Sequence, residues 1–196
     1  TPMEFGASNV QERINVMKHF HEQNEQGGTK ALTPQERNSF NSFLYNPEIS
    51  PEEKLDVLGK LTASLAPSDA LNLLQEIDGK GGKAWTMAGY IHSQLNNKSL
   101  ALELLSAIND RAADVTTAQG SLDDPRNRFG KDKQAIAFQS IIEPLGLSAE
   151  ITGGIQEAAG LIYGQRYKNR DLDLDDHELL YQQTLQEVLG QLEQFG

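Results

Sequence analysis

A helix-start signal recurs at a nearly constant interval between Leu32 and Ile108, and it constrains the fold more than any other feature of the sequence. Thr33 and Ser50 each precede a proline, and a glutamate follows three residues after each, which is the pattern of an N-cap with a capping box. Proline suits the first helical position because that backbone N–H has no partner within the helix. A weaker third signal, Ala66-Pro67, lacks a capping side chain. The three prolines lie 17 and 16 residues apart, about one helix plus one short turn, which is typical of stacked helical hairpins.

Apolar residues at helical spacing predict about nine helices, and no segment has the alternation of a β-strand. The first helix is predicted from Ser8 to Gln23, and the seventh from Asp132 to Ile142, where Pro144 ends it. Short polar turns join most of the helices, which favours antiparallel neighbours. The predicted fold class is therefore all-α, with antiparallel helical hairpins packed as a bundle or a short solenoid. The predicted apolar stripes are Val10, Ile14, Met17, Phe20; Phe40, Phe43, Leu44; Leu55, Leu58, Leu61, Leu65; Leu71, Leu74, Ile77; Trp85, Ala88, Ile91, Leu95; Leu100, Leu104, Leu105, Ile108; Ile151, Ile155, Ala158, Ile162; and Tyr181, Leu185, Val188, Leu192.

The helical periodicity fades between Asp110 and Gly130. Within this stretch, residues 121–127 form the best candidate for a long exposed loop, because they combine turn-forming residues with no apolar period. We predict a single helical domain over 1–196. The alternative is a subdivision into a helical-hairpin array over 1–110 and C-terminal helices over 131–196, with a loop over 111–130 between them.

Composition excludes several classes of function. The chain has no cysteine, which excludes disulfides, thiol catalysis and cysteine-ligated metal centres. Its net charge of −11 repels phosphate backbones, so we expect no nucleic-acid partner. The longest weakly polar run, residues 151–164, is too short to span a bilayer, and the N-terminus has neither an initiator Met nor the apolar run of a signal peptide. We therefore expect a fragment or a processed chain without a membrane span.

The acidic run from Asp171 to Asp176 invites comparison with a calcium-binding loop. Carboxylates stand at positions 1, 3 and 5, but position 6 is Asp176 where glycine is needed, and position 12 is Gln182 where a bidentate glutamate is needed. The favoured interpretation is that these residues cap the last helix and complement its dipole. Weak calcium binding is the alternative.

Histidine spacing does not favour a metal site. His19 and His21 are two residues apart and point away from each other on a helix, while His21 and Glu25 share a face as a surface pair would. His92 and His177 lie far away in the sequence. We therefore predict no metal-binding and no cofactor-binding residues.

Three other patterns each have a structural and a functional interpretation. The basic segment Arg126, Arg128, Lys131 and Lys133 is a solvated loop or, alternatively, a docking patch for an acidic partner. Trp85 lies on an apolar stripe, so core burial is favoured over ligand stacking with Tyr90. Gly160 and Gly164 are spaced to let a neighbouring helix approach closely. No glutamate lies in an apolar stripe as a general acid would, so we predict no catalytic residue and no enzyme.

Three stretches of the chain resemble large multi-domain virion proteins of tailed bacteriophages and prophages, which are ejected with the genome and are often fused to a lytic transglycosylase. These stretches are Pro2-Met3-Glu4-Phe5-Gly6; Asn46 to Leu58 with the Leu71-to-Leu105 hairpins; and Glu157 to Tyr163 with the acidic turn and Leu185 to Gly190. The resemblance implies a non-catalytic helical segment of a virion component, located in a virion or in the bacterial cytoplasm. It does not bring in the transglycosylase, because such domains typically carry a catalytic glutamate followed by serine, and this sequence has no Glu-Ser pair.

The first hypothesis for function is therefore a structural and interaction domain of a phage or prophage virion protein. Its partners would be other virion components or other domains of the same polypeptide. The second hypothesis is a free-standing acidic helical adaptor or inhibitor that binds a basic protein through its negative surface. The third is an enzyme of unrecognised type.

Overall fold

The computed structural model describes Glu12, Asn15 and His19 near the N-terminus and, after them, residues 32–94, 96–117, 131–168, 170 and 172–190. These residues contain eight α-helices and one 3-10 turn and no β-strand, so the all-α prediction is confirmed. The helix predicted from Ser8 to Gln23 lies outside the described residues except for those three positions, which are helical.

The chain divides into two compact units, Thr1–Leu102 (unit 1) and Glu103–Gly196 (unit 2). The boundary lies within a helix and not in the segment 111–130. That helix continues to Thr117, so the loop predicted from 111 is wrong over 111–117, and residues 118–130 lie outside the described residues. The apolar stripe ends before this point, but alanine and arginine favour helix without it.

The helices are α1 (Pro34–Tyr45), α2 (Pro51–Ser64), α3 (Pro67–Ile77), α4 (Gly82–Ser93), α5 (Lys98–Thr117), α6 (Lys131–Ile142), α7 (Ala149–Tyr167) and α8 (Leu174–Gly190), with the 3-10 turn Glu143–Leu145 after α6.

The helix-start signals place the starts of α1 and α2 correctly, but only the first of the two predicted capping boxes forms. Thr33 accepts the Glu36 N–H while the Glu36 carboxylate accepts the Thr33 N–H at 2.8 Å, which completes a capping box at α1. At α2, Ser50 accepts the Glu53 N–H, but the reciprocal bond is absent between these two described residues. Ala66 makes no side-chain cap at α3, as its chemistry requires. Local hydrogen bonding thus sets where these helices begin.

Unit 1 has a core of leucines and one tryptophan. The predicted stripe residues of α1 to α4 are buried, and α2 packs most extensively against α4, with further packing of α3 against α4 and of α1 against α3. Two positions of the predicted stripes differ: Leu65 is half-buried after the end of α2, and Leu95 lies outside the described residues. The helix that covers α2 is therefore mainly α4, and not its sequence neighbour α3.

Glycine allows α2 and α4 to approach until backbone meets backbone. A Cβ atom at Gly89 would lie 2.7 Å from the Leu58 carbonyl oxygen and 2.7 Å from Thr62 Cγ2. Gly82, the first residue of α4, is similarly close to α3, where a Cβ would lie 2.5 Å from the Gln75 backbone. Both positions therefore require the smallest side chain.

Unit 2 contains the C-terminal helices. Here α7 packs mainly against α8, and α6 packs against both. Leu104 to Ile108, Ile155 to Tyr163 and Tyr181 to Leu189 supply the buried apolar side chains of α5, α7 and α8. Ile151 is only half-buried, and Leu192 lies outside the described residues.

The prediction that Gly160 and Gly164 let a neighbouring helix approach closely is wrong. A Cβ atom built at either glycine meets nothing within 4 Å, so both positions face open space. The spacing of four residues puts the two glycines on one face of α7, but large side chains from α8, such as Tyr181, pack against other positions of that helix.

Among the helices that the structure describes, none combines the length and apolar content that a membrane crossing requires.

Candidate functional site

A polar stripe on α1 joins this helix to the C-terminal end of α3. It consists of Arg37, Asn41 and Tyr45, which are four residues apart and therefore share one helix face. Arg37 pairs with Glu76 at 3.2 Å, and the Asn41 amide donates to the Ile77 carbonyl at 3.2 Å. The Tyr45 hydroxyl donates to the Asp78 carboxylate. Because the last carbonyls of a helix lack partners within the helix, this stripe also helps to satisfy the end of α3.

Asp78 follows α3 and gathers four donors on one carboxylate. Besides Tyr45, the Trp85 indole Nε1 donates to it at 3.0 Å and the Lys80 backbone N–H at 3.2 Å, and the Gly81 backbone contributes a further hydrogen bond. Burial on its own raises the pKa of this carboxyl, but the four hydrogen bonds together bring the pKa of Asp78 below its ordinary value. The carboxylate is therefore ionised and occupied by the protein itself.

Lys54 is the one buried lysine in the part of the chain that the structure describes. It lies in the first turns of α2 and is 3% exposed. No carboxylate of the described residues lies within ion-pair distance of its ammonium group. Burial lowers the pKa of Lys54, because leaving water penalises the charged form. This burial could not be predicted from the sequence, since a lysine next to an apolar stripe normally reaches solvent.

Two polar side chains of α4, His92 and Tyr90, each have a buried atom without a hydrogen-bond partner. His92 Nε2 lies 3.1 Å from Asp56 Oδ1 on α2, while His92 Nδ1 is buried without a hydrogen-bond partner. The Tyr90 hydroxyl is also buried without a hydrogen bond. Burial, and then the nearby charge of Asp69, raises the pKa of Tyr90 to about 12. Because these residues lie two apart on one helix, they do not converge on a common site.

Arg166 on α7 joins three helices of unit 2. Its guanidinium donates to the Glu103 carboxylate on α5 at 2.6 and 3.0 Å, and to the Glu187 carboxylate on α8 at 3.1 and 2.7 Å. It also donates to Thr184 Oγ1 at 3.2 Å. The hydrogen bonds that Arg166 donates to Glu103, and to a smaller extent those to Glu187, raise the pKa of Arg166 against the opposing effect of burial. A fork-shaped cation between two carboxylates is a strong structural link.

Three tyrosines and His177 form an aromatic cluster beside Arg166. The Tyr163 hydroxyl lies 2.8 Å from His177 Nδ1, and the rings of Tyr163 and Tyr181 meet edge to face at 5.4 Å. Tyr167 contacts both Tyr163 and His177. Burial raises the pKa of Tyr181 to about 12 and that of Tyr163 above the ordinary tyrosine value. The rings fill the space between α7 and α8, so this cluster is core.

The acidic run before α8 caps that helix, as the favoured interpretation predicts. Asp173 Oδ1 accepts the Asp176 N–H at 2.9 Å, and Asp175 and Asp176 lie in the first turn. Asp171 lies outside the described residues, as do His21, Glu22 and Glu25. No group of three or more histidine or acidic side chains that could hold a metal ion occurs in the described residues.

The remaining predicted positions fall as follows. Trp85 is fully buried, in agreement with the core interpretation, and its ring meets Tyr45 edge to face at 5.5 Å. Arg126 and Arg128 lie outside the described residues. Lys131 and Lys133 are helical, so the placement of the whole basic segment in a loop is wrong for these two. Lys131 is the first residue of α6.

Exposed large apolar side chains occur in unit 2 and not among the described residues of unit 1. Ile136 on α6 is 69% exposed and Leu179 on α8 is 53% exposed. Leu145 and Leu147, which follow α6, are also exposed. Single exposed apolar residues are common on protein surfaces, so each of these four by itself identifies no binding site.

The clustered ionisable groups among the described residues therefore join one helix to another. In Asp78, Arg166 and the aromatic cluster, the donors and acceptors are paired with protein groups and not directed at a shared cleft. Comparison of the chain with protein-family models, curated proteins and solved structures returned no match. The function must consequently be inferred from the residues themselves.

Proposed function

We propose that this chain is a non-catalytic structural and interaction domain of a phage or prophage virion protein. The observation that carries the proposal is that its polar clusters connect helices to one another. Arg37, Asp78 and Arg166 each tie one helix to another, which is the chemistry of a rigid scaffold. The resemblance of three stretches to virion proteins supplies the biological setting.

The exposed apolar side chains of unit 2 support an interaction role. A helical scaffold that leaves Ile136 and Leu179 in solvent presents apolar side chains that a partner can cover. Its partners would be other virion components or other domains of the same polypeptide.

A direct experiment is to ask whether the chain is part of the particle. Particles produced by the phage or prophage that encodes it should contain the chain at a constant ratio to the capsid protein after salt washing and gradient purification, as measured by quantitative mass spectrometry. Deletion of the coding region should reduce infectivity or assembly. If purified particles lack the chain, or if its amount falls steadily with washing, the virion proposal is wrong.

A second experiment tests the non-catalytic part of the proposal. The isolated chain should not clear suspensions of purified cell walls, because the sequence lacks the Glu-Ser pair that transglycosylase domains typically carry, and none of the glutamates whose side chains the structure describes is buried. Clearing that is abolished by changing one half-buried glutamate, such as Glu103→Gln, would instead make the chain an enzyme. Glu48→Gln, at an exposed turn, is the matched control.

The alternative proposal is an acidic adaptor or inhibitor of a basic protein. The net charge of −11 favours it, because a negative surface charge attracts a basic partner and helps to bind it. Such binding would weaken steeply as salt rises, whereas contacts made mainly through apolar side chains would not. Salt dependence of partner binding therefore distinguishes the two proposals.

A further inference from the structure

The outward face of α6 has a charge pattern that is complementary to itself. At 100° per residue, Lys133, Ile136, Ser140 and Glu143 follow one another along one face of the helix and of the 3-10 turn that continues it. All four are exposed. A cation begins the face and an anion ends it, about 15 Å apart along the helix axis, with the exposed Ile136 between them.

Nothing within the described part of the chain occupies this face. The side chains of Lys133 and Glu143 make no ion pair or hydrogen bond there, and α6 packs on α7 and α8 through the side that carries the buried Phe138 and Ile142. Ile136, 69% exposed, is the most exposed large apolar side chain that the structure describes.

We propose that this face of α6 binds the same face of a second copy of the chain across a twofold axis, with the two α6 helices antiparallel. In that register Lys133 of each copy lies opposite Glu143 of the other, and Ile136 lies opposite Ser140. A single register forms both pairs, because residues 133 and 143 are equally far from residue 138, as are residues 136 and 140. The two Ile136 side chains then lie about four residues apart along the axis, roughly 6 Å, and pack beside each other at the centre.

A second copy is favoured over an unrelated partner because a twofold interface must be self-complementary. Each patch meets an identical patch, so a surface that carries only one sign of charge would repel itself. The α6 face carries one charge of each sign at its two ends, so both ion pairs form at once. The net charge of −11 opposes association over longer distances, and we therefore expect a weak, concentration-dependent dimer at physiological salt.

This inference is independent of the virion assignment, since it concerns the purified chain alone. Sedimentation equilibrium of the full chain over a range of concentrations should show a reversible monomer–dimer equilibrium in 150 mM salt. Ile136→Glu should leave only monomer, since two added carboxylates would meet at the centre. Leu179→Glu, at an exposed position of α8, is the matched control and should leave the dimer unchanged. Circular dichroism verifies that both variants remain folded.

Charge reversal tests the register itself. Lys133→Glu and Glu143→Lys should each weaken the dimer, by about tenfold, because each substitution acts twice in a twofold interface. The double variant Lys133→Glu/Glu143→Lys should return the dissociation constant to near the original value, since both pairs form again with their signs exchanged. A chain that stays monomeric, a dimer that Ile136→Glu leaves intact, or a double variant weaker than either single one would each overturn the proposal.

Discussion

In unit 1 two helices approach until a backbone carbonyl faces a glycine, whereas Gly160 and Gly164 of α7 in unit 2 face open space. Gly89 lets α4 lie directly on the Leu58 carbonyl of α2, and small and aliphatic side chains fill the rest of the contact. In unit 2 long side chains span the gaps between helices: Arg166 reaches two carboxylates, and Tyr163 and Tyr181 fill the space between α7 and α8.

The difference indicates how each unit responds to change. Close backbone contact makes unit 1 sensitive to volume, because a packed crossing cannot move without disturbing its neighbours. Contacts through long side chains make unit 2 sensitive to the loss of a charge or a ring, and tolerant of small additions. Unit 1 also leaves no large apolar side chain exposed among its described residues, while unit 2 leaves four.

The largest effect is expected from Leu58→Ala. Leu58 is fully buried at the α2–α4 contact, and the loss of its side chain leaves a cavity, which costs about 2–5 kcal/mol. Fluorescence of Trp85, the sole tryptophan, reports the unfolding of unit 1 in denaturant. Leu179→Ala, at an exposed position in unit 2, should leave this transition unchanged. Equal midpoints for the two variants would mean that the α2–α4 contact does not limit the stability of unit 1.

Arg166→Met should destabilise unit 2 by about 2 kcal/mol. The substitution leaves Glu103 and Glu187 facing each other without a cation, but both carboxylates are partly exposed, so the cost is below that of breaking a fully buried pair. Hydrogen exchange of the α7 and α8 amides measures the effect, and high salt should recover part of it. Lys168→Met removes the exposed 3.9 Å pair with Asp110 and should change exchange very little. If both variants behave alike, Arg166 does not hold the three helices together.

Gly89→Ala should destabilise unit 1 by about 1–3 kcal/mol, because the added methyl group requires α2 and α4 to move apart. Gly59→Ala is the matched control on the facing helix. Its Cβ would contact the edge of the His92 ring at 3.0 Å, and that side chain can turn aside, so we expect a smaller loss. Thermal unfolding followed by Trp85 fluorescence compares the two. A larger loss of stability in Gly59→Ala than in Gly89→Ala would mean that the tightest contact between α2 and α4 is not at Gly89.

These examples show which parts of the structure the sequence could predict. Caps at Thr33, Ser50 and Ser148 depend on residues three positions apart, so their signals are complete within a short stretch. The apolar stripes likewise report which face of each helix is buried. The sequence could not tell that Gly89, and not Gly160, meets another backbone, because that depends on which helices cross and where.

The polar clusters were missed for the same physical reason. Arg37, Asn41 and Tyr45 are visible in the sequence as a spacing of four, but their partners lie more than thirty residues away at the end of α3. Arg166 and Glu103 are 63 residues apart. Lys54 is buried by neighbours that its own stretch of sequence does not specify. Contacts between distant residues follow from the packing of the helices, which periodicity alone does not determine.

Asp78→Asn should destabilise unit 1 by about 1 kcal/mol near neutral pH, since a neutral amide accepts the four donors less well. The folded pKa of Asp78 is below its unfolded value of about 3.9, so its stabilisation is fully present above the unfolded pKa and is lost as pH falls toward the folded pKa. The two proteins should therefore converge in stability in strongly acidic solution. Tyr45→Phe, which removes one donor, should show a smaller difference with the same pH dependence. A difference that grows on acidification would mean that the carboxylate is not the stabilising form.

The smallest expected effect is also opposite in sign. Gly160→Ala should stabilise unit 2 by about 0.5–1 kcal/mol, because alanine loses less backbone entropy than glycine when a helix forms. The added methyl group meets nothing within 4 Å at Gly160, so no packing cost offsets the gain. The same substitution at Gly89 should destabilise unit 1, and the pair therefore tests the contrast between the units with one change of chemistry. Hydrogen exchange of the α7 amides should slow in Gly160→Ala while Trp85 fluorescence reports an unchanged unit 1. Faster exchange in α7 would show that a neighbouring group does approach this face of the helix, as the glycine spacing in the sequence suggested.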